Sequence, residues 1–472
     1  MEGWWVPGRA RGWAEHALDD LVRELVVERG LDVEPAAIAT EPAKAGAKAP
    51  FRVDLRRLGK EAAPACQRIA DALRAHDDIE LADAAPPGVF VLPTIGFLAR
   101  RLAAAVAEHG PYPPRPPEAV PPTLAFTFSD PNMNKPLHLG HFRNIVIGMS
   151  ITRLLEAQGS PVDVQALHSD WGIHIAQAVH GWLRWGEGGT PESTGTKSDH
   201  FVGRFYARFH QESARQREEA GLDEDTPTEL EREAAALLQR MQDGDPEANE
   251  ANTRITAWVE AGVAATYERT GCAFDHIWRE RQTTHLGVQA VRNALERGVC
   301  VQREDTSVYL DLSDRGLGTV TLLRSDATPV VYTQWFGVDL ARYPGMPFDH
   351  ILQMSGQEWA PGETVYTEVA RDLGGDWVGK WTHFYYGMVT LTGGKMSSRA
   401  AGSTVLVDEL LDDLVAWFGD TGDAECAAAA LTRFHFLAPK RLKDVVYSEE
   451  TLRDETLPVL RRVLATLAAV EE

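Results

Sequence analysis

The sequence predicts an α/β protein: a doubly wound parallel sheet with a helical insertion, preceded by a small α+β domain. Three observations carry this reading. A buried strand (124–128), a polar loop and a long helix from residue 139 follow one another directly, and a second strand (162–167) comes next, the alternation that builds parallel sheets. Mostly helical sequence from 175 to about 300 then interrupts strand-forming sequence that resumes at 308. The proline-rich run PYPPRPPEAVPP (111–122) separates all of this from a first segment with its own apolar pattern.

In order along the chain, residues 12–33 place Leu18, Leu21, Val22, Leu25 and Val26 at helical spacing, and 34–50, rich in Ala and Pro, reads as a connector. From 51 to 110 a helix (about 65–75), a strand pair (within 79–92) and a second helix (95–108) are expected. The expected limits are 1–110 for the first domain, 111–122 for the linker, 123–402 for the sheet domain with its insertion at about 175–300, and 403–472 for a helical carboxy-terminal segment. Strands of the sheet domain after the insertion are placed at 308–312, 319–323, 350–354 and 383–389, and 405–417 is amphipathic.

Composition narrows the class. A chain of 472 residues, 44% hydrophobic and 25% charged, has material for several domains of ordinary soluble type. No apolar run of about 18 residues marks a membrane span, and charge comes too early for a secretory signal, so the cytoplasm is the expected compartment. Cys66, Cys272, Cys300 and Cys426 are too scattered for a zinc site or a disulfide framework, and no structural metal is expected. A net charge of −22 opposes general attraction to nucleic acid. Much of the acid lies in 211–250, whereas 51–60 holds Arg52, Arg56, Arg57 and Lys60 against Asp54 alone.

Chemistry is expected where the first strand of the sheet meets its helix. Asp130, Pro131, Asn132 and Asn134 end the strand with turn-forming side chains, and the apolar residues after Leu139 recur mostly at helical spacing. His138 and His141 fall three apart on the first helical turn and face the same way. A helix start offers unpaired N–H groups and a positive dipole end, two imidazoles add donors, and Gly140 removes a side chain, so a phosphate is the natural guest. An isolated H-x-x-H at a helix start is otherwise a cap and a surface residue.

The surrounding sequence decides between these. DPNMNKPLHLGH resembles the "HIGH" signature of class I aminoacyl-tRNA synthetases, and PNMNKPLHLGHFRNIVIG followed by HSDWG (168–172) resembles the arginyl-tRNA synthetase family in particular. GKMSSR (394–399) is similar to the "KMSKS" loop and follows Gly387, Met388 and Val389 as in that family. The resemblance implies a Rossmann-like catalytic domain of the class I (HUP) type, ATP as a substrate with Mg2+, tRNA as partner, and a monomer. It implies catalytic roles for His138, His141 and Lys395, and ATP contacts for Asn132, Lys135, Gly140, Gly387, Met388, Val389, Met396, Ser397, Ser398 and Arg399. The first domain would contact the tRNA elbow and the insertion the acceptor end.

Amino-acid selection departs from the family pattern. Relatives carry an acid two residues before the S-S/A-P-N run, a Tyr and an Asp on a Tyr-x-Thr-x-Asp helix start, and a Gln after the next strand. Here Thr127 replaces the acid, and Val331, Thr333 and Trp335 stand at the Tyr, Thr and Asp positions. A buried guanidinium without a carboxylate is costly by several kcal/mol. Asp130 and Glu358 offer replacement charge, and a one-residue shift brings Tyr332 to the Tyr position. The expected amino-acid contacts are therefore Thr127, Asp130, Asn132, His168, Val331, Tyr332, Trp335, Gln357 and Glu358, with arginine and a larger, less basic amino acid as rival substrates given Trp335 and Trp359.

The family continues into a carboxy-terminal helical bundle that grips the anticodon, and this sequence stops within what would be its first helix. The first expectation is thus an arginine–tRNA ligase type enzyme whose tRNA binding is weak and independent of the anticodon. The second is a free-standing relative that transfers the activated amino acid to a small-molecule amine. An inactive RNA-binding regulatory module ranks third, because both motifs keep their functional side chains.

Overall fold

The computed structural model describes residues 13–43, 49, 51–109, 121–343, 345, 348–391, 394–395, 404–419 and 423–462. The chain divides into two compact units, Met1–Glu118 with Leu457–Glu472, and Ala119–Thr456.

In the first unit α1 (Trp13–Glu28) buries Leu18, Leu21, Val22, Leu25 and Val26, the stripe expected of an amphipathic helix. Strands β1 (Ala39–Pro42) and β2 (Phe51–Asp54), helix α2 (Ala62–Arg74), strands β3 (Ile79–Ala85) and β4 (Gly88–Pro93) and helix α3 (Ile95–His109) follow. The sheet is antiparallel in the order β1-β2-β4-β3, and Val89 and Val91 meet Cys66, Ile69 and Leu73 in its core. Residues 39–42, expected as connector, form an edge strand because the Thr40 amide reaches the buried carboxylate of Asp19 at 2.5 Å and the backbone pairs with Phe51–Asp54. Among the cations in 51–60, Arg56 pairs with Asp54 at 2.6 Å and Arg52 with Glu41 at 3.4 Å.

The second unit opens with β5 (Leu124–Thr127), α4 (Leu139–Ala157) and β6 (Val162–His168), close to the expected spans. Helices α5 (Ile173–Trp185), α6 (Pro191–Thr194), α7 (Ser198–Ala220), α8 (Glu229–Gln242) and α9 (Pro246–Thr270) come next. The chain then returns to the sheet as β7 (His276–Arg279), inside the stretch expected to be wholly an insertion. Four residues with little buried surface carry no strand signature that sequence periodicity could detect.

After α10 (Glu280–Glu296) come β8 (Val301–Gln302), for which the sequence predicts no strand, and β9 (Val308–Leu312) and β10 (Gly318–Leu323), which the sequence places in the main sheet. All three make a separate antiparallel sheet in the order β10-β9-β8. The link from β9 to β10 is too short for the crossover a parallel pair requires, so the two strands fold back on each other.

Helix α11 (Val331–Arg342), β11 (His350–Gly356), α12 (Ala360–Leu373) and β12 (Trp381–Tyr386) complete the parallel sheet, ordered β12-β11-β5-β6-β7. The chain leaves β5 first toward β6 and later returns on its other side as β11, and at such a reversal the strand ends splay into a crevice. A third small sheet joins β13 (Val389–Leu391), β14 (Gly394–Lys395) and, after α13 (Val407–Phe418) and α14 (Ala424–Leu437), β15 (Val445–Tyr447). No described helix is long and apolar enough to cross a membrane.

Candidate functional site

A cleft of about 710 Å³ opens at the carboxyl ends of β5 and β11. Its floor is held by pairings that continue beyond the strands: Asn132 bridges Ser169, and the Met133 amide reaches the Ser169 carbonyl at 2.9 Å. Ser129 turns the chain out of β5 at φ 63°, with its amide on Asn144 Oδ1 (2.7 Å) and its hydroxyl on Tyr267 Oη (2.8 Å). Asn144 also donates to the Met354 carbonyl at 3.4 Å, so one side chain ties the ends of both strands together.

The two histidines cap their own helix. His138 Nδ1 accepts from the Gly140 amide (3.1 Å), His141 Nδ1 accepts from the His138 amide (3.2 Å), and the rings stack with centroids 3.8 Å apart. The Leu139 amide donates to the Val405 carbonyl at 3.2 Å. The amides expected to bind phosphate are thus occupied within the protein. An imidazole whose Nδ1 accepts carries its proton on Nε2, so the donors left for the cleft are two Nε2–H groups. Burial and the Lys135 charge push His138 down to about 4, and burial with the neighbouring His138 holds His141 well below the usual range, so both are neutral donors.

Arg143, one turn further along α4, is fully buried and donates to the carbonyls of Gly387, Met388 (3.1 Å) and Lys443 (2.8 Å), pinning the segment ahead of β13 against the helix. The segment lies so close that a side chain on Gly387 would meet the Lys443 backbone at 2.5 Å. Downstream of GKMSSR, His138 forms a bridge with Leu406, and the Val407 amide bonds the Leu137 carbonyl at 3.0 Å. The downstream end of that loop is therefore anchored beside His138, and the segment ahead of its upstream strand is held by Arg143 of the same helix. Of the loop, the strand Gly394–Lys395 is described; Met396, Ser397, Ser398 and Arg399 lie outside the described residues.

Among the sequence-predicted residues, Asp130, Asn132, Lys135, His138, Gly140, His141, Val331, Trp335, Glu358, Met388 and Val389 line the cleft. Four expected amino-acid contacts stand back from its wall. Thr127 is buried behind it; His168 is buried against Tyr267 and near Glu260 (3.5 Å); Tyr332 stacks on Tyr366; Gln357 donates to Asp444 at 3.0 Å. Gly387 likewise lies behind, and contributes through Arg143.

Sequence reading missed the polar group under Trp335. Asp339, one helical turn beyond it, is buried and accepts from Tyr366 Oη at 2.5 Å, while its other oxygen lies 3.7 Å from Arg342. Arg342 is buried on the cleft wall and reaches Thr127 Oγ1 and Tyr343 Oη only at 3.4 Å. The D-x-x-R spacing, which places acid and base on one helix face, was the available signal. Burial pushes Asp339 up to about 6 despite Arg342 and the Tyr366 hydroxyl. Asp130 is open to the cleft, yet its depth among protein atoms also pushes it up to about 6 against the pull of Arg342 and the Leu167 amide. Glu280, also buried on the cleft lining, is pushed up to about 8 by burial, against the Ser169 side chain bonded to it. The rings of Trp335, Trp359 and Tyr366 line the same part of the cleft, with Trp335 at 6.1 and 5.4 Å from the other two.

Among the described residues, Asp199, His200 and Asp408 are the one group of three placed to hold a metal ion. The Lys197 ammonium already sits there, 2.8 Å from Asp199 and 2.9 Å from Asp408. The donor set thus holds a lysine, and no metal site is built at this place.

Residues 120–416 match the family model described as "tRNA synthetases class I (R), catalytic domain". The chain is 37% identical over 300 residues to the arginine–tRNA ligase of Parabacteroides distasonis, covering 62% of this chain and 50% of that protein. It is 39% identical over 287 residues to the arginine–tRNA ligase of Treponema pallidum, covering 61% and 47%. The chain therefore spans about half the length of the curated relatives it matches. In fold it is similar to the Thermus thermophilus arginyl-tRNA synthetase, with a TM-score of 0.53 at 20% identity over 93% of this chain and 78% of that one.

Proposed function

The chain belongs to the class I tRNA synthetase (R) family, and from that membership we propose that it activates an amino acid with ATP and passes it to the 3′ end of a tRNA. In the first step a carboxylate oxygen of the amino acid attacks the α-phosphorus of ATP, the bond to the β-phosphate oxygen breaks, and pyrophosphate leaves. In the second a ribose hydroxyl attacks the acyl carbon and AMP leaves. The first step develops negative charge on a five-coordinate phosphorus, and fixed donors aimed at that charge are the main help a protein can give.

The observation that carries the proposal is the stacked pair His138 and His141, with both Nδ1 atoms committed to backbone and both Nε2–H groups left for the cleft. They donate to the α-phosphate, with Asn132 and Lys135 beside them. Lys395, Met396, Ser397, Ser398 and Arg399 are assigned to the leaving phosphates from the family motif. Met388 and Val389, held in place by Arg143 through Gly387, take the nucleoside side. Asp130, Val331, Trp335 and Glu358 face the amino acid. Mg2+ is expected to arrive on the ATP phosphates and to need no protein cage. The proposed enzyme is a cytoplasmic monomer.

Charging of total tRNA with labelled amino acids tests the proposal. Label that becomes acid-precipitable, and is lost when tRNA 3′ ends are first oxidised with periodate, supports it. Adenylate formation without any charging, and acyl transfer to small amines instead, would replace tRNA by a small-molecule acceptor.

A further inference from the structure

Arg342 carries an unmet demand inside the cleft. Its guanidinium is 2% exposed, and its Nε and Nη2 have no hydrogen-bond partner, while Nη1 takes the two long contacts to Thr127 and Tyr343. Nε and Nη2 form one edge of the guanidinium plane, the edge that grips a pair of oxygen lone pairs side by side. Leaving two such donors buried and unpaired is unfavourable, so this edge is set for a ligand.

A substrate side chain ending in a guanidinium or ammonium has donors only and cannot answer it. A carboxylate could, but it would stand near Asp130 and Asp339, both of which interact with the Arg342 charge. A planar neutral group with a carbonyl oxygen and N–H donors fits both demands. Its oxygen takes the Arg342 edge and its N–H groups take the aspartates, while the Trp335 and Tyr366 rings, packed edge-on against each other, form an apolar wall beside it.

We propose that the amino acid activated here carries a carboxamide or ureido side chain held by Arg342, and that arginine is rejected. This rests on the adenylate-forming reading of the same cleft. ATP–pyrophosphate exchange by the wild-type chain, with single amino acids, tests it: asparagine, glutamine and citrulline against arginine, lysine, aspartate and glutamate. The expected result is that one of the first three exceeds every charged amino acid by roughly 10²-fold or more in kcat/KM, the discrimination typical of sites that leave polar groups unpaired with the wrong ligand. Arg342→Lys, which keeps charge but loses the paired edge, should raise the KM for that amino acid about tenfold or more while leaving the KM for ATP unchanged. Arginine or any other charged amino acid as best substrate overturns the inference and leaves the adenylate reading standing. Exchange with no amino acid at all removes both.

Discussion

His138 and His141 stack with ring centroids 3.8 Å apart, and each uses Nδ1 to bind a backbone amide of its own helix start. One side chain thus does two separable things, and a substitution can divide them. Asparagine caps helices well but cannot reach where imidazole Nε2 reaches. His138→Asn is expected to unfold within about 1 kcal/mol of wild type while ATP–pyrophosphate exchange falls roughly 10²-fold. Denaturant melts alongside exchange assays check this; equal exchange in the variant would mean that the phosphate lies elsewhere.

The pH dependence should come from carboxylates and not from this pair. His138, held at about 4, and His141, held well below the usual imidazole range, stay neutral across the physiological range. Asp130 and Asp339 are raised to about 6, so they are ionised acceptors above that value and become protonated as pH falls through it. The KM for the amino acid should therefore rise as pH drops from about 7 to 5, with the KM for ATP nearly flat. The same raised values mean that ionising these two groups costs the fold stability above about 6, a cost relieved on acidification toward their unfolded values. Steady-state kinetics from pH 5 to 8 check the first statement.

Asp408 holds the downstream end of the GKMSSR loop through Lys197 (2.9 Å) and His200 (3.1 Å), two residues at the start of α7. Although burial opposes it, these bonds keep the Asp408 carboxyl at about 2, while the Asp408 bond raises His200. The Asp408 contribution is complete above the ordinary carboxyl value and is lost as pH falls through about 2; the His200 contribution is complete below the ordinary imidazole value and is lost as pH rises through the raised one. Asp408→Asn is expected to cost about 3 kcal/mol at pH 7 by leaving Lys197 undercompensated, and urea melts measure it.

Where sequence and structure agree, the determinants are local. The strand, loop and helix around Asn132, the two histidines and the second strand at Val162 are read from neighbours within a few residues. Pairings over long separations were not readable. The strands Val308–Leu312 and Gly318–Leu323 were located, but their sheet was not, because side-chain alternation says nothing of the partner strand. His168 looked like a cleft residue from the HSDWG motif, and only the fold shows its ring turned toward Glu260. Asp339 and Tyr366 stand 27 positions apart, and their contact depends on how α11 meets α12.

Lys395 sits on β14, which pairs antiparallel with β13. If it engages the leaving phosphates in the transition state only, Lys395→Ala lowers kcat by roughly 10²-fold with little change in the KM for ATP. A raised KM at constant kcat would assign the residue to ground-state binding of ATP.

Whether this cleft makes an acyl adenylate is decided by ATP–pyrophosphate exchange with pooled amino acids, neutral and charged. Labelled ATP should accumulate well above the blank without amino acids for the wild type and fall roughly 10²-fold in His141→Ala. Exchange at the level of the blank in the folded wild-type protein would mean that no acyl adenylate forms in this cleft.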